Sequence, residues 1–331
     1  SMSMIMIMRM KVSMKVRESI LLHALALAVA FAEPCACHAR DASHARDVAA
    51  QEAVIPFEVW SGQIVVSLRL NGSGAVLRFL FDTGADGMAI RRSLADSLGL
   101  TVSHRQNASV VGGSVQVEIS SANTVHLSDT FALKGQNIAL FPDIKLGLDG
   151  VIGLNLAAAH AVGVDFDKKQ IRLSAFGAQQ REEEAAVIPI ADRRGGLVVL
   201  QGALNVAGKK EVVGNFIFDT GAAYHLIAFS RFVRKNRLLL TGFQPEGQAS
   251  TVSMGRATPV FYGKAHSFRL APDLAFADMP VTLQASTGAG SAGAPDGAPD
   301  GSIGIKLIQN FNFSIDLQKK ELRLYPRREQ Q

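Results

Sequence analysis

The sequence predicts an all-β protein built from two similar halves, and three observations carry that prediction. Thirty glycines and only 7% aromatic residues accompany short alternating runs split by turn formers, which is a pattern of strands and tight turns. One phrase occurs twice: Phe81-Asp82-Thr83-Gly84-Ala85 returns as Phe218-Asp219-Thr220-Gly221-Ala222, each time closing an apolar, β-branched run. The residues downstream of the phrase repeat as well. Asp149-Gly150-Val151-Ile152-Gly153 is answered by Asp300-Gly301-Ser302-Ile303-Gly304, and Val164-Asp165 by Ile315-Asp316. The interval is the same in both copies, 165 − 149 = 16 and 316 − 300 = 16, so the chain is a tandem duplication.

Taken in order, residues 1–45 read as a secretory signal and leader. Lys15 and Arg17 precede an apolar stretch from Ile20 to Ala32, with small-residue cleavage sites ending at Ala32, Ala39 or Ala45. That stretch is too short to span a bilayer, so no stable membrane anchor is expected after its removal. The first half, residues 46–180, opens with Val54-Ile55-Pro56-Phe57 and an alternating strand from Gln63 to Leu70, then turns at Asn71-Gly72. Apolar residues at helical spacing from Ile90 to Leu100, with Gly99 as a stop, predict one short helix. Residues Ala108 to Glu118 predict a hairpin turning on Gly112 and Gly113. In the second half, residues 181–331, a helix is expected from Ala228 to Leu240, and a second hairpin with its tip at Met254-Gly255. The Gly, Ala, Ser and Pro run from Ala285 to Pro299 is a flexible insertion, and the polar stretch Ser174–Ala186 a linker.

Charge and cysteine content exclude several function classes. The leader carries five basic and three acidic residues, so the net charge of +5 falls to +3 without it (5 − 2 = 3), too little to suggest nucleic-acid binding. Cys35 and Cys37 both lie in the leader, one residue apart, a spacing poor for a mutual disulfide. A mature chain without disulfides fits a bacterial periplasmic or secreted protein, stabilised by its core. No metal-ligand spacing recurs around His225, and no nucleophile elbow or phosphate loop is present, so neither metal nor cofactor is expected.

A strand that delivers an Asp into a tight Thr-Gly turn holds the carboxylate rigidly, since Thr is stiff at χ1 and Gly leaves room for the group that faces it. Two such turns brought together place two carboxylates face to face, sharing one proton and able to act as base and acid at once. Each half resembles a retropepsin-like lobe of the aspartic peptidase clan: Asp-Thr-Gly-Ala followed later by a hydrophobic-hydrophobic-Gly segment, Val151-Ile152-Gly153 and, with Ser in the first slot, Ser302-Ile303-Gly304. The resemblance runs from about residue 54 to the C-terminus. It implies a bilobal acid-protease fold of two β-barrel lobes about a pseudo-twofold axis, with few short helices, and a monomeric aspartic endopeptidase acting on peptide or protein substrates.

By that resemblance Asp82 and Asp219 form the dyad, either one able to serve as base, while Thr83 and Thr220 fix the turns and Gly84 and Gly221 permit close approach. The hairpin tips, Gly112-Gly113 and Met254-Gly255, are expected to close over substrate, and Ala85, Asp86 and Ala222 to line the subsites. Ala at positions 85 and 222, where a hydroxyl could stabilise an ionised carboxylate, predicts a raised dyad pKa and a mildly acidic to neutral pH optimum. Asp165 and Asp316 are expected in structural turns. A non-catalytic peptide-binding protein that retains the fold is the alternative, as is a peptidase confined to one narrow substrate.

Overall fold

The computed structural model describes residues 6–9, 30–31, 52–110, 113–144, 147–178, 185–191, 196–253, 256–285 and 297–327. From residue 53 onward the two halves run through ten strands each, in matching order. In the first half these are β1 (Ala53–Trp60), β2 (Gln63–Leu70), β3 (Leu77–Phe81), β4 (Met88–Arg91), β5 (His104–Val110), β6 (Gly113–His126), β7 (Ala132–Phe141), β8 (Gly150–Ile152), β9 (Ala161–Asp165) and β10 (Gln170–Ser174). In the second they are β11 (Ala186–Pro189), β12 (Val199–Asn205), β13 (Val212–Asp219), β14 (Leu226–Ala228), β15 (Pro245–Ser253), β16 (Arg256–Ala271), β17 (Leu274–Gln284), β18 (Gly301–Gly304), β19 (Phe311–Asp316) and β20 (Glu321–Pro326). Two short segments, Met6–Arg9 and Ala30–Phe31, add to β17 and β5.

Alternation fixes which face each strand buries. In β1, Ala53, Ile55 and Phe57 point inward while Val54 stays 44% exposed. Each half then closes on itself. Strands β2, β3, β8, β4, β7 and β6 pair in that order and β6 returns to β2; strands β12, β13, β18, β14, β17 and β16 do the same. Such closure leaves no exposed edge within the ring. In both rings the strand carrying the repeated phrase runs parallel to the later apolar-Gly segment, Phe79 facing Gly150 and Phe216 facing Gly301. The result is the bilobal acid-protease architecture that the resemblance implied.

A six-stranded sheet, in the order β11-β20-β19-β9-β10-β1, joins the lobes. At its centre β9 and β19 pair antiparallel, Val162 with Ile315, Gly163 with Ser314 and Val164 with Phe313. Residues 162, 163 and 164 are the repeat counterparts of 313, 314 and 315, so Gly163 pairs with its own equivalent and the pseudo-twofold axis passes between them. The outer pairs obey the same register, Pro56 with Gln170 and Pro189 with Glu321. Asp165 and Asp316 close the flanking turns by accepting backbone N–H groups, from Asp167 and Lys168 in one case and from Lys319 in the other.

Helices are shorter than periodicity suggested. The first, α1, covers Arg92–Ser97, because the Ile90 backbone is committed to the ladder opposite Gly150, and the left-handed Gly99 (φ 70°) ends it. The second, α2, covers Ser230–Lys235 and stops before Arg237, whose φ of 53° breaks the helical path. The third, α3 (Ile305–Ile308), answers a 3-10 turn at Leu154–Ala157. The insertion at 286–296 and the linker residues 179–184 lie outside the described residues. No helix among those described is long and apolar enough to cross a membrane.

One apolar core runs through both lobes. A row of rings crosses it: Phe57 meets Phe166 at 5.8 Å, Phe166 meets Phe313 at 6.3 Å, and Phe313 meets Phe218 edge-on at 5.0 Å. Phe218 precedes Asp219 directly, so packing at the interlobe sheet is transmitted to the second repeated turn. Phe313→Ala should lower stability by about 3–5 kcal/mol, read as a shifted urea midpoint. A loss below about 1 kcal/mol would show that this row does not tie the lobes together.

Candidate active site

Strands β3 and β13 each end in an Asp that enters a tight turn, and the turns meet at the axis. Each threonine hydroxyl crosses to the other lobe. Thr83 Oγ1 donates to the Phe218 carbonyl (2.6 Å) and accepts from the Thr220 amide (3.0 Å); Thr220 Oγ1 donates to the Phe81 carbonyl (2.8 Å) and accepts from the Thr83 amide (3.0 Å). Both threonines are fully buried, so these four bonds satisfy groups that water does not reach.

The clasp sets the carboxyls against one another. Gly84 N–H donates to Asp82 Oδ1 (2.8 Å) and Gly221 N–H to Asp219 Oδ1 (3.0 Å). Each glycine also lies under the opposite carboxyl: a Cβ on Gly84 would fall 2.6 Å from Asp219 Cγ, and one on Gly221 would overlap Asp82 Cγ. Only glycine fits at either point. Behind the turns, Gly153 and Gly304 are tight against the Ala85 and Tyr224 carbonyls, which fixes the segments beneath. Gln63, at the start of β2, is 3% exposed and its Nε2 donates across the lobes to the Gly221 carbonyl.

Burial governs the electrostatics. Asp82 is 0% and Asp219 1% exposed. Desolvation first, then the adjacent Asp219 charge, push the Asp82 carboxyl well above its ordinary range. Asp219 is raised by burial to about 6, its rise opposed by Asp82, by the Gly221 amide and by Ser302, whose hydroxyl lies 3.4 Å from Asp219 Oδ2. The expected equivalence of the two acids is therefore corrected: Ser302 sets a hydroxyl against Asp219, where the counterpart position in the first half is Val151. The raised values have burial as their main cause, whereas the sequence pointed to the absence of hydroxyls at positions 85 and 222. Tyr224, 5% exposed, also lies beside the pair and is raised by burial and by the Asp219 charge.

Other sequence-selected residues fall in different places. Ala85 and Ala222 are 2% and 0% exposed, each packed in an apolar cluster, with their carbonyls bonded to the Leu154 and Ile305 amides. They build the turn interior instead of lining a subsite. Asp86 is half-buried, with Gly196 of the other half against its Cβ. Gly113 begins β6, while Gly112, Met254 and Gly255 lie outside the described residues. His225 is half-buried and lowered to about 4, by burial and then by Lys306, so its imidazole is neutral. Among the described residues no group of three or more His, Cys, Asp or Glu is placed to hold a metal ion. Two surface cavities lie elsewhere, one over the interlobe sheet at Asp165 and Arg172, the other beside Arg92, Arg105 and Glu118 at the root of the β5–β6 hairpin.

Gln63 and Tyr224 carry no motif that would single them out by sequence. Gln63 gives no signal there, because its partner is a backbone carbonyl 158 residues away. Tyr224 leaves a trace, since Asp219 to Leu226 is one residue longer than Asp82 to Met88 (226 − 219 = 7, 88 − 82 = 6).

Comparison with known proteins agrees with this fold. A family model described as aspartyl protease matches residues 66–156, which include the first turn and Val151-Ile152-Gly153. Among solved structures, the aspartic proteinase from Irpex lacteus shares the fold at a TM-score of 0.54 and 12% identity, over 84% of this chain and 98% of that one. No curated protein matches.

The clasp and the buried acids each lead to a measurable outcome. Thr220→Val should cost about 2–4 kcal/mol in denaturant unfolding, because it strands the Phe81 carbonyl and the Thr83 amide, while Thr220→Ser should recover most of that; equal losses for Val and Ser would remove the clasp's importance. A carboxyl at about 6 when folded, against an ordinary 3.8, binds its proton more tightly in the folded chain. The stability that this group contributes is therefore full at low pH and is lost as pH rises from about 4 through 6. Asp219→Asn should stabilise the protein at pH 7 by about 1–3 kcal/mol and have little effect at pH 4, as read by thermal unfolding.

Proposed function

We propose that the protein is an aspartic endopeptidase that cleaves peptide bonds with water activated between Asp82 and Asp219. The observation behind this is the meeting of two buried carboxyls, each held by its own Gly amide and brought to the axis by reciprocal threonine bonds. A site built only to bind an extended peptide has no need of two acids that must share one proton.

The chemistry derives from the unequal pair. With Asp219 ionised and Asp82 protonated, the carboxylate accepts a proton from water as its oxygen attacks the scissile carbonyl carbon, and Asp82 gives its proton to the carbonyl oxygen. The resulting diol collapses as a proton passes to the leaving nitrogen and the C–N bond breaks. No covalent intermediate with the enzyme forms. Both carboxyls are buried, and we assign the β5–β6 hairpin to closing over a bound peptide, as the resemblance implies. Its root is tied to α1 through Glu118, which pairs with Arg105 at 2.8 Å and with Arg92.

Both acids come from one chain, so the site is complete in a monomer. We place the mature enzyme in the periplasm or outside the cell, on the leader signature of residues 1–45; N-terminal sequencing of exported protein should find cleavage at or before Ala45.

Digestion of unfolded casein tests the assignment. Asp82→Asn and Asp219→Asn should each lower kcat/KM by at least about 10³-fold with folding retained, and equal cleavage by wild type and both variants would sink it. The acid limb of the wild-type profile should centre near pH 6, where Asp219 ionises after burial has raised it. A maximum below about pH 3 is incompatible with this dyad.

A further inference from the structure

Duplication lets every group near the dyad be compared with its own counterpart. Val151 and Ser302 occupy the same register, Val151 opposite Leu80 and Ala89, Ser302 opposite Ile217 and Ile227. Both are 0% exposed. Val151 sits among Leu80, Ala85 and Ala89 in an apolar cluster, whereas Ser302 turns its hydroxyl toward Asp219 Oδ2 at 3.4 Å. Next to it the second half carries its extra residue. Tyr224 lies in that longer turn with its hydroxyl fully buried and no well-formed hydrogen bond among the described residues, yet with Ser302 beside it. The first half has Asp86 and Gly87 in the corresponding stretch and neither hydroxyl.

The titratable groups facing Asp219 are Asp82, from the opposite turn, and Tyr224, from its own. His225 and Lys306, on the adjoining turn and on α3, act on each other. Tyr224 is pushed up by burial and by Asp219, so it stays protonated and keeps a hydrogen to donate. A hydroxyl that donates to a carboxylate favours its ionised form.

Building on the peptidase assignment, we propose that Tyr224 and Ser302 are a positioning pair, acting in series, that fixes the negative charge on Asp219 and the proton on Asp82. The two acids are thereby given different tasks by residues present in only one copy of the repeat. Tyr224 orients the Ser302 hydroxyl, and Ser302 delivers its hydrogen to Asp219.

Carboxyl ¹³C NMR titration of the aspartate-labelled full-length protein tests this, with the two resonances assigned through Asp82→Asn and Asp219→Asn. In the wild type, Asp219 should ionise at lower pH than Asp82. Ser302→Val, which installs the first-half residue, should raise the Asp219 midpoint by about 0.5–1 pH unit. Ser302→Thr, of the same shape with the hydroxyl kept, should restore it, and Ser302→Ala serves if the bulkier side chains prevent folding. Tyr224→Phe should raise the midpoint by part of that shift, and the double variant Tyr224→Phe/Ser302→Val by no more than Ser302→Val alone. Asp82 ionising first, or an unmoved Asp219 midpoint in Ser302→Val and Ser302→Ala, overturns the proposal; additive shifts overturn the series arrangement. The titration is read on the resting protein, so equal casein cleavage by the wild type and both Asn variants would defeat the peptidase assignment without touching the midpoints. Unmoved midpoints in an active enzyme defeat the positioning pair alone.

Discussion

The reciprocal bonds between Thr83 and Thr220 are the constraint on which the rest of the structure depends. Each hydroxyl has one hydrogen and two lone pairs, and each uses them on the other lobe, donating to a carbonyl that precedes the opposite Asp and accepting from the opposite Thr amide. Because these groups are sealed from water, separating the turns would break four hydrogen bonds at once and strand the six polar groups that make them. The glycines and carboxyls are then placed by default. Everything farther out, from the rings at Phe166 and Phe313 to the six-stranded sheet, holds the lobes at the spacing that lets the clasp close.

Symmetry brings the acids together, and departures from it give them different surroundings. A strictly duplicated site would leave the shared proton evenly divided, since neither carboxyl would have a better environment for charge. Here the second half contributes Ser302 where the first has Val151, and a turn one residue longer. The first half contributes Gln63, which braces the Gly221 carbonyl from across the axis. These substitutions are small in volume and lie in the interior, so they alter electrostatics without disturbing the ten-strand pattern that the halves share.

Much of this was legible in the sequence because the relevant information is local and occurs twice. The strand ending at Asp82, the tight turn after it and the later Gly153 segment are each short patterns, and their recurrence at Asp219 and Gly304 removes chance as an explanation. Helix lengths were not legible. Ile90 suits a helix face as well as a strand, and only the ladder opposite Gly150 decides between them; Arg237 ends α2 by adopting a backbone angle that no residue type announces. Ala85 and Ala222 were misplaced for a related reason, since a small residue after a turn reads equally as a subsite wall or as packing. Ser302 was visible as a departure from the apolar pattern, but its meaning needed the 3.4 Å approach to Asp219.

The interlobe sheet has a consequence for how the chain came by its present form. At its centre Gly163 faces its own repeat equivalent, while Val162 faces the equivalent of Val164 and Val164 that of Val162. A first half synthesised without the second would therefore present β9 as an open edge already self-complementary under a twofold rotation, ready to associate with a second molecule of itself. Covalent linkage turns that association into an intramolecular one and frees the copies to diverge, because a mutation in one no longer appears in both. The inequality of Val151 and Ser302 is a difference that no homodimer of identical halves could carry.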